Sequence, residues 1–315
     1  MRTIIVEPEH YAQEAVDIYR SFGDVLMERA LSRQELLEAI SDAEILVIRL
    51  AHKIDREVLK AAPNLKIIVC PTTGLDHIDL AAAAERGVKV VSLKGETEFL
   101  RTIHATAEHT FALLLALLRR IPWSFASVGR GEWDRDSFKG NELSGKTMGI
   151  IGFGRLGSRV ARIAQGFDMS VVATDPLVKI ETPNVQQVGL PELVSASDVI
   201  SIHVPYSSDT ERMISSDIFV RIRQGAVLVN TSRGQVVDEG ALLGALTSGK
   251  LAGAALDVLW AEEKRPVVIS GDPLVEYAKT HQNLLITPHL GGATFESMAK
   301  TEIFIAEKVK AAFTV

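Results

Sequence analysis

Across 315 residues the chain has one cysteine, Cys70, which excludes an internal disulfide and a thiolate metal cluster. No metal is expected, and a reducing cytoplasm is the expected compartment. Lysine and arginine nowhere gather beyond Arg119-Arg120, and the formal net charge is −6, which argues against a nucleic-acid surface. Acidic ligands must then be caught by local groups. The longest apolar run, Phe111–Leu118, falls far short of the roughly 20 residues of a membrane span, and the first residues do not read as a signal peptide. No membrane association is expected. Repeats and low-complexity stretches are also missing. What is abundant is apolar material: 47% of residues are hydrophobic, enough for two cores, and the length suggests about two domains.

The most informative stretch is Gly152-Phe153-Gly154-Arg155-Leu156-Gly157. Met148–Ile151 before it suits a buried strand, Ser158–Phe167 after it carries apolar residues at helical spacing, and Val171–Ala173 begins another strand. In a strand–turn–helix–strand unit, Gly152 permits the tight turn, Gly154 lets backbone approach a pyrophosphate, and Gly157 lets the helix pack closely. The helix start, with Arg155 and Leu156, supplies N–H groups to the phosphates. Asp175, 18 residues beyond Gly157, is placed to meet the adenosine ribose hydroxyls and to repel a 2′-phosphate, which favours NAD over NADP.

About 150 residues precede this fingerprint, so another domain must come first. Thr3–Val6, Ile45–Ile48, Lys66–Val69 and Val88–Val91 read as strands separated by helices, and the alternation implies a parallel sheet. Ligands then gather at strand carboxyl ends, where Arg49 and the Thr72-Thr73-Gly74 turn lie. A long helix over about Ile103–Arg120 reads as the connector. Strands resume at Val199–His203, Ala226–Asn230, Gly253–Asp257 and Leu284–Thr287, and a last amphipathic helix, Phe295–Phe313, is expected to pack back on the first domain. The fold class is α/β with two doubly wound parallel-sheet domains: a flavodoxin-like substrate domain (1–102 and 288–315) with an inserted Rossmann NAD-binding domain (103–287).

Six motifs in order carry a family resemblance. They are Gly74-Leu75-Asp76-His77-Ile78-Asp79, the glycine fingerprint, His203-Val204-Pro205, Asn230-Thr231-Ser232-Arg233-Gly234, Ala255-Leu256-Asp257-Val258 and Thr287-Pro288-His289-Leu290-Gly291-Gly292. The chain resembles the D-isomer-specific 2-hydroxyacid dehydrogenases, most closely their phosphoglycerate dehydrogenase group. The resemblance implies a homodimer and an active site in the cleft between domains. It also implies a short form, because the chain ends about two dozen residues past His289. No C-terminal regulatory domain, and no feedback inhibition through one, is then expected.

The resemblance assigns three catalytic roles that chemistry supports. His289 is the acid–base group, since imidazole titrates where reversible proton transfer is efficient. Of the eight histidines, His10, His52 and His281 read as solvent-facing and His109 lies on a helix. Arg233 anchors the substrate carboxylate, because a guanidinium grips it bidentately. Glu262, five residues past Asp257, tunes His289; here the chain departs from the family, which has proline directly after that glutamate, and Glu263 is a rival. Thr231 and Asp257 are expected at the nicotinamide carboxamide, although Asp257 also reads as a strand-end turn residue, and Pro205 is expected at the adenine. Arg49, Thr73 and Gly74 are expected to hold the substrate acid. The family usually has arginine where Cys70 stands, which puts phosphoglycerate itself in doubt.

Lys94–His104 looks longer and more charged than the family's usual turn. Leaving the fourth strand's carboxyl end, it suits recognition of the far end of the substrate, with Arg101 on an anionic group and Phe99 as an apolar wall; a charged hinge is the other reading. The dimer is expected to use the helix from Ile103 and the loop through Trp133, although Phe111, Leu114, Leu117 and Leu118 suit an ordinary core equally well. The expected function is NAD-dependent interconversion of a D-2-hydroxy acid and its 2-oxo acid. The alternatives are a glyoxylate or hydroxypyruvate reductase and a non-catalytic, NAD-sensing corepressor-like protein.

Overall fold

The computed structural model describes residues 1–29, 31–263 and 269–312, with the Glu263 side chain outside the described set. The chain divides into two compact units. The first contains Met1–Ile103 and the C-terminal segment from Ala293; the second contains His104–Glu262 and Ile269–Gly292.

In the first unit the strands β1 (Arg2–Ile5), β2 (Asp24–Met27), β3 (Ile45–Val47), β4 (Ile67–Cys70) and β5 (Lys89–Ser92) form a parallel sheet ordered β2-β1-β3-β4-β5. This is the expected flavodoxin-like order. Strands β3 and β4 are buried at every position, as befits a parallel sheet covered by helices on both faces. Ile4, Leu46 and Ile68 pack with Leu36, Val58 and Ala82 from the helices Arg33–Ala39, Arg56–Ala61 and Leu80–Glu85. Ile5, Val47 and Val69 pack on the other side with Tyr19 of the helix Gln13–Arg20 and with Ile305, Ala306 and Val309 of the helix Phe295–Ala311. Strand β2 escaped the sequence reading because it is a short edge strand whose apolar run, Val25–Met27, is only three residues long and half-buried or exposed. The segment Lys94–His104 folds as a turn and a short helix, Thr97–Leu100, whose Leu100 joins the core with Ile103. Phe99 stacks on Phe304 with ring centroids 3.9 Å apart, so its ring serves the unit's own packing.

The second unit carries β6 (Thr147–Ile151), β7 (Ser170–Thr174), β8 (Val185–Gln187), β9 (Val199–Ile202), β10 (Ala226–Asn230), β11 (Leu251–Leu256) and β12 (Leu284–Ile286). They lie parallel in the order β12-β11-β10-β9-β6-β7-β8, a Rossmann order with one further strand. The order reverses between β6 and β9, which opens the ligand crevice beside the glycine fingerprint. Helices Ala105–Leu118 and Arg155–Gly166 cover one face, and four shorter helices, Leu190–Ala196, Ser216–Arg221, Glu239–Thr247 and Pro273–Ala278, cover the other. The helix expected over about Ile103–Arg120 is observed as Ala105–Leu118, and Arg120, with a left-handed φ of 52°, turns the chain into a further helix, Ile121–Gly129, with proline in its first turn. Among the described residues no single helix is long and apolar enough to cross a membrane.

Candidate active site

The glycine fingerprint leaves β6 in a turn that a side chain would obstruct. Gly152 has φ 89°, and a Cβ there would lie 2.7 Å from the His203 carbonyl oxygen. A Cβ on Gly157 would stand 2.0 Å from the Gly152 oxygen, so this position lets the helix Arg155–Gly166 seat against the turn. Around Gly154, in contrast, nothing lies within 4 Å of a Cβ position, and no side chain caps the helix that starts there. Exposed backbone at an uncapped 12-residue helix is what a pyrophosphate requires, so these residues fit a dinucleotide. The Asp175 carboxylate lies beside the turn: Oδ2 accepts the Phe153 N–H at 2.8 Å, and Oδ1 accepts those of Leu177 and Val178 at 2.8 and 3.2 Å. A fixed negative charge beside the phosphate cradle disfavours a second phosphate.

Across the switch point, His203 Nε2 lies 2.7 Å from Ser201 Oγ, and burial pushes its imidazole pKa down to about 4. That ring is neutral near pH 7 and cannot serve as a readily charged acid. Pro205 is exposed, with its carbonyl accepting the Thr210 hydroxyl, and buried Thr231 pairs its Oγ1 with Thr110 Oγ1 at 2.9 Å.

Three turns following the neighbouring strands β10, β11 and β12 carry Arg233, Glu262 and His289. Asn230 braces the first: its Nδ2 donates to the Arg233 carbonyl at 2.9 Å, and its Oδ1 accepts the Ser232 N–H and hydroxyl at 3.0 and 2.8 Å. Arg233 is half-buried, and its Nη1 donates to the Ser232 carbonyl at 2.7 Å. Glu262 sits in the 3-10 turn Trp260–Glu263, where its Oε1 accepts the Leu259 N–H at 2.9 Å. Its Oε2 lies 2.5 Å from His289 Nδ1, with the two side chains 18% and 25% exposed. Glu262 therefore faces His289. The rival Glu263 has its side chain outside the described residues. With Nδ1 against a carboxylate, the imidazole keeps its proton there and presents Nε2 to a reacting oxygen.

Two half-buried groups that the sequence reading did not single out support these turns. Glu239 Oε1 accepts the Trp260 N–H at 2.7 Å, anchoring the turn that carries Glu262, and burial pushes its carboxyl pKa up. His109 reaches Asp257, placing its Nε2 3.1 Å from Oδ1. In sequence Glu239 reads as an ordinary acid in a first helical turn and His109 as a helix-face residue; only the fold brings them to the site. Asp257 itself, 1% exposed, accepts N–H groups of Leu290 and Gly291 at 2.7 Å each. Its carboxylate thus grips the His289 turn.

In the first unit, Arg49 is committed internally. Nε and Nη2 donate to Glu302 Oε1 at 3.0 and 2.5 Å, Nη1 donates to the Glu9 carbonyl, and the guanidinium lies over the Tyr11 ring. Thr73 is exposed and Gly74 half-buried, in a turn closed by the Thr72 hydroxyl on the Gly74 carbonyl at 2.8 Å. Cys70 is buried beneath it with Sγ 3.1 Å from Thr72 Oγ1, and burial pushes the thiol up to about 12. Arg101, with a 67% exposed side chain, pairs with Glu98 one helical turn away.

Residues 111–291 match the family model for the NAD-binding domain of D-isomer specific 2-hydroxyacid dehydrogenases. The chain is 39% identical over 313 residues to D-3-phosphoglycerate dehydrogenase of Archaeoglobus fulgidus, covering 98% of this chain and 56% of that protein. The human D-3-phosphoglycerate dehydrogenase is 37% identical over 279 residues, covering 88% of this chain and 50% of that protein. The chain thus spans about half the length of the curated relatives it matches. Among solved structures, the TT0316 protein of Thermus thermophilus superposes with a TM-score of 0.85 at 35% identity, covering 100% of this chain and 97% of that one. D-lactate dehydrogenase of Aquifex aeolicus, solved with NAD and lactic acid, gives a TM-score of 0.82 at 30% identity, covering 99% and 95%.

Proposed function

We propose, for a chain that belongs to the D-isomer specific 2-hydroxyacid dehydrogenase family, that it interconverts a D-2-hydroxy acid and its 2-oxo acid with NAD as redox partner. The observation that carries this reading is the 2.5 Å contact of His289 Nδ1 with Glu262, on the sheet whose carboxyl edge also bears the dinucleotide turn. When bound, NAD supplies the hydride acceptor, and NADH the donor. His289 Nε2 takes the proton of the substrate hydroxyl in oxidation and returns it in reduction. Glu262 accepts the Nδ1–H and holds the ring in place. Arg233 grips the substrate carboxylate and stabilises charge on the neighbouring oxygen. Gly152, Gly154, Arg155, Leu156 and Gly157 take the pyrophosphate, Asp175 the ribose hydroxyls, Pro205 the adenine, and Thr231 and Asp257 the nicotinamide side.

The first unit serves as the substrate domain, with the Thr73–Gly74 turn holding the acid. Reduction of a small 2-oxo acid such as glyoxylate or hydroxypyruvate is favoured by one observation: Arg49 is spent on Glu302, while buried, uncharged Cys70 offers no cation beneath that turn. The protein is a cytoplasmic homodimer in this reading. Ile121, Phe125 and Val128 share one helix face at 51%, 79% and 52% exposure, and Trp133 nearby is 89% exposed, an apolar surface suited to a second copy. A monomer in light scattering at micromolar concentration would remove the dimer.

The test of function is turnover of a panel of D-2-hydroxy acids and 2-oxo acids with NAD(H). Activity restricted to D-isomers is expected. Tight NAD binding without turnover of any compound would replace the enzyme by a dinucleotide sensor.

A further inference from the structure

We propose that His109 is a positioning residue for His289, acting through Asp257 on the backbone turn that carries it. The inference rests on the acid–base role of His289 given above. Asp257 Oδ1 accepts the Leu290 N–H at 2.7 Å and the Thr287 hydroxyl at 2.6 Å, Oδ2 accepts the Gly291 N–H at 2.7 Å, and its backbone oxygen accepts the His289 N–H at 2.9 Å. The turn from Thr287 to Gly291 therefore wraps one buried carboxylate, in the manner of backbone nests around anions. His289 adopts a left-handed backbone, φ 57°, which residues with side chains disfavour. That conformation persists because it brings the next two N–H groups to the same carboxylate. The fit is close: a Cβ at Gly291 would lie 2.9 Å from Asp257 Oδ2.

On its other side, Asp257 meets His109, which comes from the helix Ala105–Leu118. His109 Nε2 stands 3.1 Å from Asp257 Oδ1 and 3.2 Å from Thr287 Oγ1. Proton accounting fixes its role. Thr287 has one hydroxyl proton, and at 2.6 Å it goes to Asp257. The Thr287 oxygen therefore turns a lone pair toward His109, and Nε2 must carry a proton. Burial alone would raise the Asp257 pKa, but the bonds from His109, Thr287, Leu290 and Gly291 together hold it below its ordinary value. Without the His109 donor, Asp257 keeps only the bonds of the turn itself, nothing ties it to the helix Ala105–Leu118, and the turn holds the His289 ring against Glu262 less firmly.

The experiment compares His109→Ala, His109→Gln and Thr287→Val by steady-state kinetics, NAD binding and proton NMR of the His289 Nδ1–H. Losing the donor is expected to lower kcat about ten- to a hundredfold, the scale of a misplaced catalytic group, with the Kd for NAD within about twofold. His109→Gln, which keeps an N–H donor, restores most of kcat. The Nδ1–H resonance, a low-field signal in the wild type, broadens by faster exchange in His109→Ala and Thr287→Val and persists in His109→Gln. A wild-type resonance in His109→Ala would overturn the proposal, as would a loss confined to NAD affinity. If His109→Ala does not fold, His109→Leu, which keeps more of the bulk and removes the same donor, gives the same reading, while Thr287→Val removes the second side-chain bond to Asp257 Oδ1. The resonance needs no substrate, so failure to find turnover leaves this test intact.

Discussion

Glu262→Gln isolates the pair at the centre of the proposed mechanism. The substitution keeps the side chain's length and shape. One oxygen can still accept the Leu259 N–H, which the glutamate does at 2.9 Å, so the turn should survive. What is lost is the carboxylate 2.5 Å from His289 Nδ1. A hydrogen bond to a charged group contributes about 1.5–3 kcal/mol, and both side chains retain some solvent contact, which favours the lower half of that range. With about 1.4 kcal/mol per factor of ten, kcat should fall roughly ten- to fortyfold. A second effect acts on tautomer: the amide nitrogen can donate to Nδ1, which moves the ring proton to Nε2 and removes the acceptor needed for oxidation. In 2-oxo acid reduction the loss should be of the same size, because the ring is no longer held with Nε2 toward the reacting oxygen. The assay is kcat and kcat/KM across pH 5 to 9 in both directions, with NAD affinity followed by tryptophan fluorescence. A loss below threefold in both directions would refute the assignment. An effect of Glu263→Gln in place of Glu262→Gln would transfer the role to Glu263.

His289→Ala should lower kcat by about 10²- to 10⁴-fold while NAD binds near wild-type affinity; less than a tenfold loss in the steady-state assay would end its acid–base role. Asp175→Ala should weaken NAD binding and relax discrimination against NADP, since the carboxylate beside the phosphate turn is removed; calorimetric titration with both cofactors checks this, and an unchanged preference assigns selection elsewhere. Arg49→Ala should destabilise the first unit by about 3–5 kcal/mol, because Glu302, with a side chain 1% exposed, would be left buried without its cation. Thermal unfolding measures it, and unaltered stability with a raised KM would return Arg49 to substrate binding. Asp257, held below its ordinary pKa, contributes stability that is complete above the unfolded value of about 3.9 and is lost as pH falls toward the folded value. Asp257→Asn should therefore lose less stability than wild type between pH 5 and 3 in urea unfolding, and equal slopes would refute the assignment of that charge.

The sequence by itself determined the elements whose signal is local. Ile67–Cys70, Ala226–Asn230 and the strand before Gly152 are apolar runs because parallel central strands are buried on both faces, and periodicity reads such runs directly. The dinucleotide turn was legible for the same reason: Gly152, Gly154 and Gly157 answer to backbone geometry within six residues. Edge strands Asp24–Met27 and Val185–Gln187 were not legible, since a short edge open to water carries an apolar stretch of at most three residues. Side-chain partners across long separations lay beyond the sequence. The pairing of Glu262 with His289 came from the family resemblance with Glu263 as rival, and its geometry depends on turns after β11 and β12 lying side by side. That Arg49 is taken by Glu302, 253 residues away, depends on the last helix packing into the first unit's core. That His109 reaches Asp257 depends on a helix laid across a sheet 148 residues downstream. Strand and turn preferences are written over a few neighbouring residues, whereas the partner a charged side chain finds is decided by which surfaces the folded core brings together.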